Sequence, residues 1–247
     1  MKKMSFIIVI FAICLAILGP NSVYAGSLKI SEKNIVMVKG SSTKLHIRNK
    51  GKKHVSWKSN NPGIVSVSKA GKLKAKSYGK AKITAKVGKK KFSCSVKVVK
   101  KDLNYSDMDF IIKKDGKTTK SHLGGYFNFI YGTKATQREW GEKYSTPRLI
   151  RIGSNSTQIK RAYGKAKVRK FNPERDGLYR YLKRGGSINH ILTGTDDDAN
   201  DDLDIFAAQT EYYIEYKYKG FSAEYIRFYL DSKKTILGIA YLGGSYY

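Results

Sequence analysis

Cysteine is nearly absent from this 247-residue sequence, which has only Cys14 and Cys94. Cys14 lies in the apolar run Phe6 to Leu18, which follows Lys2 and Lys3 and precedes the small residues Val23 and Ala25, the pattern of a secretory signal peptide over residues 1–25. The run is shorter than the ~20 residues a membrane span needs. Ile13 before Cys14 is not the small residue a lipid anchor requires, and no second run of spanning length follows. An exported chain beginning near Gly26 then keeps Cys94 alone, so no intramolecular disulfide is expected and core packing must supply the stability. The C-terminal "YLGGSYY" has neither a hydrophobic tail nor a sorting motif, so retention at a surface would be non-covalent. A secreted protein associated with the cell surface of a Gram-positive-type bacterium is the expectation.

Acidic residues are as scarce as cysteine in the first half. Residues 26–101 hold 22 bases and one acid, Glu32, for a net +21, whereas residues 102–247 hold 24 bases and 18 acids, for +6. That asymmetry places a domain boundary near Lys100 to Asp102, giving domains 26–101 and 102–247. Arginine is missing too: Arg48 is the one arginine among the 22 bases. Lysine is a hydrated point charge without the planar fork that reads phosphates and carboxylates geometrically, so the signal is diffuse attraction. Aromatics in this half are limited to Trp57, Tyr78 and Phe92, which gives no stacking platform for single-stranded nucleic acid. Specific nucleic-acid recognition is not expected, and the partner class is an anionic cell-wall polymer or a membrane surface.

Short alternating apolar runs fill residues 28–98, with glycines between them, predicting a small antiparallel sandwich with apolar side chains inward and lysines outward. The stretch "VSWKSNNPGIVSVSKAGKLKAKSYGKAKITAKV" carries Trp57, the Ser59–Asn60 turn, Val65 and Val67, Gly71, and Gly79 with Ala81, Ile83 and Ala85. It resembles the bacterial immunoglobulin-like domain of group 2. The resemblance implies a sandwich used in secreted and surface proteins as an adhesive module or a spacer, with Trp57 as the plug between sheets. Cys94, between Phe92 and Val96, reads as a buried thiol. The candidate polyanion-binding residues are Lys72, Lys74, Lys76, Lys80, Lys82, Lys89, Lys90 and Lys91. The alternative is a lysine coat that prevents edge pairing and aggregation.

The second half is tyrosine-rich. "FIIKKDGKTTK" predicts a hairpin turning at Asp115–Gly116. "STPRLIRIGSNSTQIKRAYGKAK" predicts a strand Leu149 to Ile152, an N-cap at Ser154 or Asn155, a helix presenting Ile159 and Ala162, and a stop at Gly164. Through Ile150, Gly153, Ser156, Ile159, Tyr163 and Gly164 this stretch is similar to the small modules found in the β-lactamase inhibitory protein and in outer-membrane assembly lipoproteins, with Leu149 where glycine is common. The resemblance implies an α+β domain, a short helix packed on an antiparallel sheet. "TEYYIEYKY", "AEYIRFYL" and "TILGIAYL" predict the C-terminal meander of that sheet. The fold class is therefore an all-β Ig-like sandwich followed by an α+β domain. Ile226, Phe228 and Leu230 should face the helix, leaving Tyr213, Tyr225, Arg227 and Tyr229 on the opposite face as candidates for binding a protein partner.

"GTDDDANDDLDIF" spaces Asp196, Asp198, Asn200 and Asp202 at alternate residues, as calcium ligands are in loops. Asp201 and Ala207 stand where a full EF-hand loop needs glycine and glutamate, which leaves a solvated loop, or an electrostatic clasp onto the lysine-rich domain, as the alternative. Calcium is the single cofactor the sequence suggests. His46, His54, His122 and His190 are scattered, and no phosphate loop or nucleophile elbow appears. The expectation is a non-catalytic binding protein. Its rival is a hydrolase of wall or extracellular polymer, which would need paired carboxylates in a cleft.

Overall fold

The computed structural model describes residues 26–114, 117–121, 127–131, 142–184, 190–191, 199–219 and 223–242. The first half contributes β1 (Lys29–Ile30), β2 (Asn34–Val38), β3 (Ser42–Lys44), β4 (Ile47–Arg48), β5 (Ser56–Ser59), β6 (Val65–Val67), β7 (Lys72–Ala75), β8 (Gly79–Val87) and β9 (Lys90–Val99). A four-stranded sheet, β2-β9-β8-β5, faces a three-stranded one, β3-β7-β6. The expected antiparallel pairing holds except between β2 and β9, which run parallel. Inward side chains form one core, including Ile35, Met37, Leu45, Leu73, Ile83, Cys94 and Val96, with Trp57 partly buried against it. At Gly71, with φ +78°, a Cβ would collide with the Leu45 carbonyl oxygen and sit 3.0 Å from the Trp57 ring, so only glycine lets the turn pass beneath the indole.

The second half contributes β10 (Phe110–Lys114), β11 (Lys117–Ser121), β12 (Phe127–Tyr131), β13 (Tyr144–Ser145), α1 (Ser156–Tyr163), β14 (Arg169–Lys170), α2 (Gly177–Lys183), β15 (His190–Ile191), α3 (Ala199–Gln209), β16 (Tyr212–Lys219), β17 (Ala223–Leu230) and β18 (Ile236–Leu242). A six-stranded sheet runs β14-β16-β17-β18-β12-β15, with the meander at its centre, beside a small sheet β11-β10-β13. The hairpin of β10 and β11 is present, its turn residues 115 and 116 lying outside the described residues.

Helix α1 starts as the sequence indicates. Asn155 accepts from the Gln158 backbone N–H and Gln158 accepts from that of Asn155, a reciprocal cap, and Gly164 ends the helix at φ +94°. Ile159, Ala162 and Tyr163 pack on Ile214, Ile226, Phe228 and Leu230. The strand expected at Leu149 to Ile152 is not formed. Thr146 N–H donates to the Ile150 carbonyl at 2.7 Å, closing a turn in which Leu149 adopts φ +62°. That left-handed backbone is one glycine takes without strain, and it explains why the alternating pattern there does not become a strand.

Candidate functional site

Strand alternation puts the lysines of the sandwich outside because the intervening alanines, valines and isoleucines fill its core. Lys72 and Lys74 project from the three-stranded sheet, Lys76 follows them, Lys80 and Lys82 project from the four-stranded sheet, and Lys89, Lys90 and Lys91 crowd the β8–β9 turn; all eight are exposed. Register adds what the sequence could not supply. Lys80 lies directly opposite Lys97 and Lys86 opposite Lys91, with Lys82 between them on β8. Lys58 on β5 joins the same face, since its partner Thr84 alternates with Lys82 and Lys86. On the other sheet Lys44 stands opposite Lys72. Like charges directly opposed across a sheet cost stability.

The single acid of the sandwich does not relieve this charge. Glu32 accepts two hydrogen bonds from Arg161 of α1, Nη1 to Oε1 at 2.7 Å and Nη2 to Oε2 at 2.9 Å. Ser41 Oγ donates to the Val38 carbonyl at 2.8 Å and lies 3.4 Å from the Arg161 carbonyl. Helix α1 lies against β2, which accounts for the burial of Val36 and Val38 although Ile35 and Met37 already point into the sandwich core. The connecting segment is held as well. Buried Arg148 donates to both oxygens of Asp107, at 2.8 and 2.6 Å, and to the carbonyls of Ala162 and Asp102. One arginine thus ties the linker to the C-terminal end of α1.

The tyrosine face is not an open surface, and this corrects the sequence reading. Helices α2 and α3 cover it around Phe129 and Tyr229, so the middle of the six-stranded sheet is packed on both sides. Tyr229 is 1% exposed and packs with Phe129, Phe206, Leu178, Leu182 and Leu203, while Tyr213 and Tyr225 lie partly buried against the same cluster. At Gly238 a Cβ would stand 2.8 Å from the Phe206 ring, so the missing side chain admits the aromatic of α3 to the sheet. Arg227, 8% exposed, is enclosed by charge. It donates to Asp176 at 2.6 Å and to Glu215 at 2.6 and 2.8 Å, and its guanidinium lies 4.9 Å over the Tyr213 ring. Burial alone would pull this guanidinium down; Tyr229, Asp176 and Glu215 together hold it above its ordinary value. Of the four residues proposed to bind a partner, Arg227, Tyr229 and Tyr213 therefore serve a polar knot inside the domain, while half-buried Tyr225 lies under Lys217, whose Nζ is 5.7 Å from its ring.

Asp176 and Glu215 are the paired carboxylates a hydrolase reading would look to, but Arg227 sits between them and donates to both. Asp176 also caps α2, accepting from the Tyr179 backbone N–H at 2.9 Å. Asp196 and Asp198 lie outside the described residues. Asn200 and Asp202 fall in the first turns of α3 rather than in a loop. Among the described residues no group of three or more His, Cys, Asp or Glu side chains could hold a metal.

Cys94 is fully buried, and burial, followed by the nearby Glu32 charge, pushes its thiol up to about 12 from an ordinary 9.0. A folded-state value above the unfolded one means that this group's stabilisation is complete below pH 9 and is lost as pH rises toward 12. At pH 8 a disulfide reagent is expected to leave the native thiol unmodified and to label it once denaturant opens the sandwich. Rapid labelling of the native protein would contradict this burial.

A four-stranded and a three-stranded sheet packed face to face over one core define an immunoglobulin-like domain. Residues 26–98 match the family model of the bacterial Ig-like domain (group 2), and this segment is a domain of that kind. No curated protein matches the chain. Among solved structures, similarity is found to a GH10 xylanase containing a bacterial Ig-like domain, from termite gut, at 22% identity and TM-score 0.25 over 26% of this chain and 18% of that one. Domains 4 and 5 of the S-layer protein SbsC match at 23% identity and TM-score 0.25, over 30% and 45%. An intimin mutant of EHEC O157:H7 matches at 15% identity and TM-score 0.27, over 87% and 98%. The chain spans less than half the length of the first two.

Proposed function

We propose that this is a secreted, non-catalytic cell-surface protein whose Ig-like domain associates with an anionic envelope polymer through its lysine faces. The observation that carries this reading is the register of Lys80 with Lys97, Lys86 with Lys91 and Lys44 with Lys72. A coat serving solubility alone works with interspersed charges of both signs, whereas this domain tolerates three opposed like pairs and presents no acid beside them. A bound polyanion would turn that repulsion into attraction. The Arg161–Glu32 contact holds the second domain against the sandwich. That domain is the candidate protein-recognition module, through exposed side chains such as Tyr181 and Ile205 on its covering helices rather than through the buried Arg227 and Tyr229.

The test is a titration of the full chain with a soluble polyphosphate across a salt series. By analogy with other phosphate polymers, log affinity should fall linearly with log salt between about 50 and 200 mM, with a slope steeper than about −3. Binding that ignores salt, or no binding at the lowest salt, would leave the lysines as a solubility coat.

A further inference from the structure

We infer that the pole of the Ig-like domain farthest from the second domain carries a discrete site for an organic phosphate, the repeating unit of the anionic polymer; this rests on the polyanion reading above. A cleft of about 850 Å³ opens there between the chain segment at Gly26, the β4–β5 loop and the β8–β9 turn. Its cationic lining is Lys53, Lys86, Lys89 and Lys90, with His54 beside them and no acid among the lining residues. The volume falls in the range of small-ligand pockets.

The loop side of the cleft is tied down by its own hydrogen bonds. Asn49 Nδ2 donates to the Ser27 carbonyl at 3.1 Å, fastening the chain segment to the loop. Lys50 Nζ donates to the carbonyls of Gly51 and Lys53, at 3.1 and 3.4 Å, bracing the loop that presents Lys53 and His54. Buried Val87 and half-buried Leu28 supply an apolar floor. Point charges around such a floor suit a phosphate carried on a short polyol or sugar better than a bare ion, since the carbon skeleton has something to cover.

The location fits capture. Strand β9 begins at this pole with Lys90 and ends at Val99, nine residue steps or roughly 30 Å away at the rise of a strand. Helix α1 docks on β2, which pairs with the far stretch of β9 from Ser95 to Val99. The cleft is therefore clear of the second domain.

Calorimetry or amide NMR on the full chain tests this with glycerol 3-phosphate, inorganic phosphate and glycerol as probes. Saturable binding of glycerol 3-phosphate is expected, tighter than that of inorganic phosphate and absent with glycerol. The K86Q/K89Q variant should weaken it about fivefold to tenfold, while K165Q/K167Q, exposed residues of the second domain with the same loss of charge, should stay within about twofold. Equal weakening by both variants, or inorganic phosphate binding as tightly as the ester, overturns the site in favour of net charge alone. If polyphosphate still binds with steep salt dependence but glycerol 3-phosphate does not saturate, the cleft fails and the polyanion reading stands. If both are lost, the reading fails with it.

Discussion

Replacing Arg227 by alanine is expected to destabilise the protein by about 3–5 kcal/mol, because it leaves buried carboxylate without a counter-charge. Asp176, 7% exposed, would keep its bond from the Tyr179 N–H but lose the guanidinium 2.6 Å away. Glu215 would lose both of its bonds from Arg227, and the Tyr213 ring would lose the cation above it. Removing Asp176 together with Arg227 should recover part of the loss, since the two are coupled and the double variant leaves less charge stranded. Urea unfolding of the four proteins of the cycle measures this directly. A single-variant cost below about 1 kcal/mol is the signature of a solvated surface pair and would mean that α2 and α3 do not close over the sheet.

The second large effect combines opposite signs. Changing Lys58, Lys80, Lys82, Lys86, Lys91 and Lys97 to glutamine strips the outer face of the four-stranded sheet while leaving its core untouched. If each exposed lysine contributes about 0.5 kcal/mol to holding a polyanion, affinity should fall about a hundredfold. Stability should rise by about 0.5–1 kcal/mol, because the opposed pairs at Lys80–Lys97 and Lys86–Lys91 no longer repel. A face kept for solubility predicts another pattern: more aggregation, with affinity for polyphosphate unchanged. Measuring affinity and the thermal midpoint on the same variant separates the two.

Much of this architecture was legible in the chain because it is written with the period of a strand. The run from Lys80 to Val87 alternates without exception, and Ala81, Ile83, Ala85 and Val87 all point inward. The helix α1 was equally readable, its cap and glycine stop standing where capping chemistry requires them. The exposed tyrosine face misled because alternation shows which residues share a side of a sheet but not whether something lies on top. The signals for the cover were present. Asp176 with Leu178 and Leu182 four residues apart spells a capped helix, and Leu203, Phe206, Ala207 and Thr210 fall on one helical face. The aspartates around Asp202 hid the second of these by suggesting a loop. What no local pattern could convey was distance along the chain: Arg161 reaching Glu32, Arg148 reaching Asp107, and lysines of different strands brought into register.

Sedimentation of the full protein with isolated Gram-positive cell walls, before and after the anionic polymers are stripped from them, tests the central claim most directly. The account predicts that the protein pellets with intact walls at low salt, is released as salt rises and screening shortens the reach of each charge to about 8 Å or less at physiological ionic strength and above, and stays in the supernatant with stripped walls. Equal retention on stripped walls, or none on intact walls at low salt, would contradict it.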